Sequence, residues 1–237
     1  MLNLRNPKQV TEVIPRSKEV APNQVAVSWG LDEAKALRNM KINAPSPIEG
    51  RYEWTGKYEP FEHQKKTAGF LTMNRRAFCF NEQGTGKTAS AIWAADYLMR
   101  QGKINRVLVI CPLSIMDSAW RADLFTFAMH RTVDVAHGAK EKRRKIIEGG
   151  AEFVIINYDG VKIVQDVIAD GGFDCIIIDE ATHYKNVQTD RWKTLNRIVK
   201  PDTWLWLMTG TPAAQSPVDA YGLAKLVNPK AVPKFFS

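Results

Sequence analysis

No apolar run in the 237-residue sequence approaches the ~20 residues that a membrane-spanning helix needs. Residues 1–15 are polar with scattered charges and lack an apolar h-region, so no secretory leader is expected there. Cysteine is scarce. Cys79, Cys111 and Cys175 make an odd count without C-x-x-C spacing, which argues against a disulfide framework or a zinc site. All three lie in apolar, strand-like runs and are expected to be small buried hydrophobes of a protein in a reducing cytoplasm. Internal repeats and low-complexity tracts are also missing. Hydrophobic residues make up 45% and charged residues 24%. That is ordinary globular composition, and it excludes collagen, mucin-like stalks and wholesale disorder. The length suits one large domain, or one domain with a small extension. Thirty-three basic against twenty-five acidic residues leave a net charge of +8, which permits a polyanionic partner without requiring one.

Residues 1–56 read as a small N-terminal extension. Val25, Val27 and Trp29 alternate as in a short strand, and Leu31, Ala34 and Leu37 keep helical spacing. The stretch 43–48 carries Pro45 and Pro47 and reads as a linker, and 51–54 as a further short strand. From Phe61 onward the pattern alternates. Strands are expected at 77–80, 107–111, 133–136, 153–156, 175–179 and 204–208. Helices are expected at 63–73, 87–100, 115–128, 140–148, 160–169, 189–199 and 217–226. Short apolar strands separated by helices imply βαβ units and a mostly parallel sheet flanked by helices, an α/β fold. Ligands of such sheets bind at the carboxyl ends of the strands.

The most informative stretch is Phe80-Asn-Glu-Gln-Gly-Thr-Gly-Lys-Thr88, between an expected strand and an expected helix. Gly84 and Gly86 let the backbone close around phosphate oxygens, with Gln83 and Thr85 between and beside them. Loop amides and the helix N-terminus suit an anion. Lys87 reaches the β/γ-phosphates of ATP, and the Thr88 hydroxyl suits Mg²⁺. The general pattern begins with Gly, where this chain has Asn81. Further on, an apolar run ends in Asp179-Glu180. Asp179 is assigned to magnesium and Glu180 to activation of the attacking water. Alone, two acids at a strand exit are a weak signal. After a phosphate loop they are a strong one.

Together these segments resemble the first motor lobe of superfamily 2 (DEAD/DEAH-type) helicases, a RecA-like P-loop NTPase domain, and within them the Swi/Snf-type DNA translocases. That group usually has Asp-Glu-x-Gly-x-Gly-Lys-Thr as its phosphate loop, so a residue other than Gly at position 81 is expected. Its acidic motif, Asp-Glu-x-His-x-x-Lys-Asn, is matched at Lys185 and Asn186. Thr182 stands where His is usual, and His183 follows one place later. The resemblance implies Gln64, in Phe61-Glu-His-Gln64, as the adenine reader. A Gln amide can both donate to and accept from adenine's edge. It implies nucleic-acid contacts at Pro112 and Ser114, at Asn157 and Tyr158, and at Lys185 and Asn186. It implies coupling of hydrolysis to movement at Thr209, Gly210 and Thr211, followed by Pro212. Ala214 and Gln215 depart from the family's Gln-Asn continuation.

The resemblance covers 57–237, with a flavour of compact phage and bacterial translocases, hence a bacterial or phage-infected cytoplasm. It implies an ATP- and Mg²⁺-dependent motor that moves on DNA, duplex favoured, as well as a second RecA-like lobe supplying arginines to the reaction. No later motif of that second lobe follows, and Phe235-Phe236 before Ser237 suggest a folded continuation. Weak activity, or none, is therefore expected of this chain alone. Kinases and ring ATPases share the phosphate loop but not Lys185-Asn186 or the Thr209 segment. A non-catalytic binding module built on an ATPase lobe fits less well with Lys87, Thr88, Asp179 and Glu180 all intact. The run at 140–145 is read as a solvated helix face rather than a DNA contact, and Arg75-Arg76 as structural.

Overall fold

The computed structural model describes residues 1–211 and 219–233. Pro212, Ala214, Gln215, Phe235, Phe236 and Ser237 lie outside the described residues. The chain divides into two compact units, Met1–Glu53 and Trp54–Ser237.

In the first unit, β1 (Leu2–Asn3), α1 (Lys8–Thr11), β2 (Lys18–Ala21) and β3 (Gln24–Ala26) precede α2 (Leu31–Asn39) and α3 (Ile48–Arg51). The strands form an antiparallel sheet of order β1-β3-β2. Leu31, Ala34 and Leu37 are the buried face of α2, at the spacing their sequence shows. The expected strand at 51–54 does not form, and residues 48–51 make a helical turn instead. Pro47 has φ −59°, already set for a helix start, and the Ser46 N–H donates to Glu49 Oε1 at 3.2 Å.

The second unit is built on six parallel strands. They are β4 (Arg76–Cys79), β5 (Val107–Cys111), β6 (Val133–Ala136), β7 (Phe153–Asn157), β8 (Cys175–Ile178) and β9 (Trp204–Met208), in sheet order β4-β9-β8-β5-β7-β6. β5, β8 and β9 are buried throughout, which is why they read as continuous apolar runs rather than alternating ones. The helices on the sheet's faces include α4 (Glu62–Met73), α5 (Lys87–Arg100), α6 (Ala122–Phe127), α7 (Lys140–Glu148), α8 (Tyr158–Ile163), α9 (Gln165–Asp170), α10 (Asp190–Ile198) and α11 (Asp219–Val227). Cys79, Cys111 and Cys175 are free and buried in the strands. Among the described residues, no helix is long and apolar enough to cross a membrane.

Two expected helices are not continuous. The one at 115–128 opens with a 3-10 turn at Leu113–Ile115, winds as a π-helix over Met116–Arg121, and becomes α6 only at Ala122. Met116 and Trp120 are both buried in that stretch, and Trp120 is drawn onto the acidic motif. The helix expected at 160–169 breaks at Val164, whose φ of −127° leaves the helical region while its side chain is fully buried.

The basic run on α7 is mixed. Lys140, Lys142 and Lys145 are exposed, whereas Arg144 is ion-paired with Asp166. Arg143 is buried and donates to Ala136 O at 2.7 Å, Gly138 O at 2.8 Å and Asn157 Oδ1 at 2.9 Å. Arg76 donates to the carbonyls of Leu226 and Lys200, a structural role.

α11 packs on the segment that follows the acidic motif through Gly222. A Cβ there would lie 2.0 Å from Lys185 O and 2.5 Å from Lys185 C. Both are backbone atoms with little room to yield. Gly222→Ala is therefore expected to cost about 1–3 kcal/mol, a fall in Tm of roughly 2–12 °C, readable by calorimetry. An unchanged Tm would refute this close packing.

Candidate nucleotide site

The sequence motifs meet along one edge of the sheet. In spatial order, the carboxyl ends of β4, β9, β8, β5 and β7 lead into 80–86, 209–211, 179–180, 112–114 and 157–158. Five segments far apart in sequence thus form one continuous rim, where ligands of such sheets bind.

The glycine-rich loop joins β4 to α5. Gly84 and Gly86 have φ of +77° and +75°, which an L side chain rarely adopts. A Cβ on Gly86 would also meet Gln64 Nε2 at 2.0 Å. Asn81 needs no glycine, because its φ is not positive, and its amide donates to Thr67 Oγ1 on α4 at 2.8 Å. Within the loop, Thr85 Oγ1 donates to Glu82 O at 2.7 Å. Lys87 is buried, and its Nζ donates to Asn81 O at 2.8 Å and Glu82 O at 2.9 Å. Gln83 is exposed, and Thr88 is half-buried in the first turn of α5.

Gln64 fastens the start of α4 to this loop. Its Oε1 accepts from Phe61 N at 2.9 Å, and its Nε2 donates to Thr85 O at 3.3 Å. His63 Nε2 lies 3.0 Å from the same carbonyl, a donor in the Nε2–H tautomer. The His63 ring stacks on Phe61, which is 69% exposed.

The acidic pair follows β8. Asp179 is buried. Its Oδ2 accepts from Trp120 Nε1 at 2.9 Å and its Oδ1 from Glu180 N at 3.0 Å. Burial holds this carboxyl above the ordinary carboxylate range, opposed by the indole N–H, the Glu180 amide and the nearby Lys87 ammonium. Glu180 takes a left-handed conformation, φ 47° and ψ 55°, which costs a non-glycine residue about 1–2 kcal/mol. Tyr158 braces this turn, its hydroxyl donating to Asp179 O at 2.6 Å. Burial raises the Tyr158 phenol well above its usual value, keeping it a neutral donor.

On β9's side, Thr209 is fully buried. Its N–H donates to Cys79 O at 3.1 Å, and its Oγ1 accepts from Thr211 N at 3.1 Å. Gly210 faces the loop, since a Cβ there would lie 3.7 Å from Gln83 Cγ. Pro112 precedes the 3-10 turn, and Ser114 is exposed. Asn157 is held by Arg143, and Tyr158 packs beneath His183 with ring centroids 4.6 Å apart. Lys185 pairs with Asp219 at 3.2 Å, and Asn186 Oδ1 accepts from Gln188 N at 2.9 Å.

Three roles were not read from the sequence: that of His63, the bracing by the Tyr158 hydroxyl, and the bond of the Trp120 indole to Asp179; Tyr158 and Trp120 entered only through the resemblance, in segments expected near nucleic acid. His63 stood inside the quoted Phe61-to-Gln64 segment. The other two act on residues 21 and 59 positions away, which no local pattern reveals.

A parallel sheet with a glycine-rich loop and an acidic pair on its carboxyl edge defines a RecA-like α/β ATPase lobe. The chain belongs to the SNF2-related domain family, whose model matches residues 63–235. It is similar to "Uncharacterized ATP-dependent helicase YqhH" of Bacillus subtilis (strain 168), 25% identical over 176 residues that cover 73% of this chain and 30% of the relative. A SWI/SNF-related matrix-associated actin-dependent regulator of chromatin subfamily A-like protein 1 from Xenopus laevis is 30% identical over 188 residues, covering 76% of this chain and 18% of that protein. The fold matches the Sulfolobus solfataricus SWI2/SNF2 ATPase core solved in complex with dsDNA, with TM-score 0.66 and 24% identity, over 75% of this chain and 37% of that one. The chain thus spans less than a third of the length of these two relatives.

Proposed function

We propose that this chain is the ATP-binding half of an ATP-dependent DNA translocase or helicase, coupling ATP hydrolysis to movement on DNA. The observation that carries the reading is the convergence of Lys87, Asp179 and Gly210 on one rim, with Lys87 within electrostatic reach of the Asp179 carboxyl and Gly210 against the loop. Lys87, Gly84, Gly86 and the N-terminus of α5 bind the phosphates. Gln64 and Gln83 complete the nucleotide cradle. Glu180 orients the attacking water, and Thr209 with its neighbours relays the state of the site.

The donor set fits Mg²⁺. Asp179 and Thr88 offer hard oxygen ligands, and no cluster of three or more His, Cys, Asp or Glu able to hold a metal occurs among the described residues. Magnesium is ordinarily held by one or two carboxylates together with substrate phosphates and waters. When bound, the ion neutralises charge developing on the transferred phosphoryl group.

Pro112, Ser114, Asn157, Tyr158, Lys185 and Asn186 are proposed to line the DNA-facing side, duplex favoured and met through its backbone. The N-terminal extension, expected over 1–56, is proposed to act apart from the motor lobe; its compact unit is Met1–Glu53. A second RecA-like lobe, from a longer chain or a partner, supplies the arginines, a contribution worth ~10³–10⁵ in rate. The relatives' greater length supports this. The cell compartment is proposed to be a reducing cytoplasm, consistent with three unpaired buried cysteines.

The test is ATP turnover by this chain with and without duplex DNA, alongside Lys87→Ala. DNA-stimulated turnover lost in the variant supports the full reading. Lys87-dependent ATP binding without turnover supports the half-motor. ATP binding indifferent to Lys87 refutes both. Backbone contacts also make DNA affinity fall steeply with salt, linearly in log–log terms. Equal affinity at 50 and ~200 mM salt would rule out that mode.

A further inference from the structure

The indole of Trp120 has no place in the reading above. Trp120 is fully buried, and its Nε1 donates to Asp179 Oδ2 at 2.9 Å. Asp179 Oδ1 is taken by Glu180 N. Each carboxylate oxygen therefore has one protein donor and keeps lone-pair capacity on its other side. The main chain at the same residue is pinned separately, by Tyr158 Oη on Asp179 O. So the backbone and the carboxylate of Asp179 are fixed by two different elements.

The way Trp120 reaches Asp179 is unusual. It sits in the π-wound stretch Met116–Arg121, between a 3-10 turn and α6. π-Winding is rare and concentrates at functional sites, because it is less favourable than continuing an α-helix. Met116 is buried on the same stretch, so it and Trp120 both hold the segment against the core.

We infer that Trp120 is a positioning residue for the metal-side carboxylate, orienting Asp179 toward a hydrated divalent cation through its indole N–H. The inference rests on the assignment of Asp179 to Mg²⁺. It also has a structural consequence. The stretch that carries Trp120 follows the 3-10 turn Leu113–Ile115, which holds Ser114 and is preceded by Pro112, both proposed to face DNA. A displacement of that stretch is a displacement of the donor on Asp179, so the DNA-facing residues and the donor to the metal ligand share one short segment. Outer-shell donors of this kind typically change metal affinity or activity by 10–100-fold when removed.

The test needs no turnover. Mn²⁺ binding in the presence of ADP is followed by electron paramagnetic resonance, and ADP binding without metal by calorimetry. Three proteins are compared with the unaltered chain: Trp120→Phe, Asp179→Asn, and a chain with 3-benzothienylalanine at 120. The last keeps the bicyclic bulk and lacks the N–H, so it retains the packing that phenylalanine gives up. The expected result is Mn²⁺ affinity at least tenfold weaker with 3-benzothienylalanine and with Trp120→Phe, with metal-free ADP affinity unchanged. Unchanged Mn²⁺ affinity with 3-benzothienylalanine, while Asp179→Asn loses it, overturns the role of Trp120 and leaves the metal assignment standing. Unchanged Mn²⁺ affinity in Asp179→Asn overturns the metal assignment and this inference with it. Equal losses of Mn²⁺ and metal-free ADP binding mark Trp120 as merely structural.

Discussion

Glu180→Gln is expected to bind ATP as the unaltered protein does and to hydrolyse it about 10²–10⁴-fold more slowly in the assembly that turns ATP over. The carboxylate is isosteric with the amide, so the shape of the site is kept while its capacity to take a proton from water is lost. The backbone argument points the same way. Glu180 is one of four non-glycine residues with positive φ among the described residues, and it is the one that follows a buried strand on the ligand-binding edge. A residue held there at a cost of about 1–2 kcal/mol is over-determined by its surroundings. Those surroundings are visible. The Glu180 N–H is given to Asp179 Oδ1, and Tyr158 Oη holds the preceding carbonyl. The conformation turns the chain sharply after Asp179, so consecutive residues do different work. Asp179 stays buried against Trp120, and Glu180 is left to the rim. Single-turnover hydrolysis beside equilibrium ATP binding separates the two effects. Turnover within threefold of the unaltered protein would remove Glu180 from the water-activating role.

Much of this architecture was legible in the residues. The expected strands at 107–111, 133–136 and 204–208 coincide with β5, β6 and β9, and the helices at 87–100 and 140–148 coincide with α5 and α7. β5 and β9 are apolar on both faces and buried on both, so no competing pattern obscured them. The loop and the acidic pair were readable because their chemistry is local: adjacent glycines, a lysine and a threonine in one loop, two acids at one strand end. What escaped was decided by partners distant in sequence. The π-winding at Met116–Arg121 coincides with the bond between Trp120 and Asp179, and the break at Val164 with the full burial of that side chain. Arg143 shows the limit of reading charge from composition. It lies in a run of cations, yet is buried against Asn157. Gly160 makes the room, since a Cβ there would sit 2.3 Å from Arg143 Nη1. A helical wheel puts Arg143 on the same side as Ile147, but it cannot show that the guanidinium stays buried rather than reaching solvent.

Lys87→Ala is expected to weaken ATP binding by at least about a hundredfold and to remove any turnover with it. Without nucleotide, the Lys87 ammonium donates to two neutral carbonyls of its own loop, Asn81 O and Glu82 O. Phosphate oxygens are better partners, because they add the attraction of opposite charges to hydrogen bonds that the ammonium already makes to neutral carbonyls. Binding therefore exchanges weak acceptors for strong ones at a group already desolvated and in place, with little ordering cost to oppose the gain. The attraction between an ammonium and a phosphate charge ~4 Å apart is about 4 kcal/mol at an effective dielectric constant of ~20, more than the ~2.8 kcal/mol that corresponds to a hundredfold change. The loss reaches further than the phosphates. Lys87 is also the cation that lowers the Asp179 carboxyl against the effect of burial. Without it Asp179 loses a cation that favours its charged form, so nucleotide and metal binding should fall together in this variant. Lys87→Arg is not expected to rescue, because a planar fork does not fit a site shaped for a compact ammonium tucked under two loop carbonyls. Calorimetric titration of ATP with Mg²⁺ into the unaltered chain and both variants checks all three statements. ATP affinity in Lys87→Ala within threefold of the unaltered chain would show that the glycine-rich loop is not where the phosphates bind.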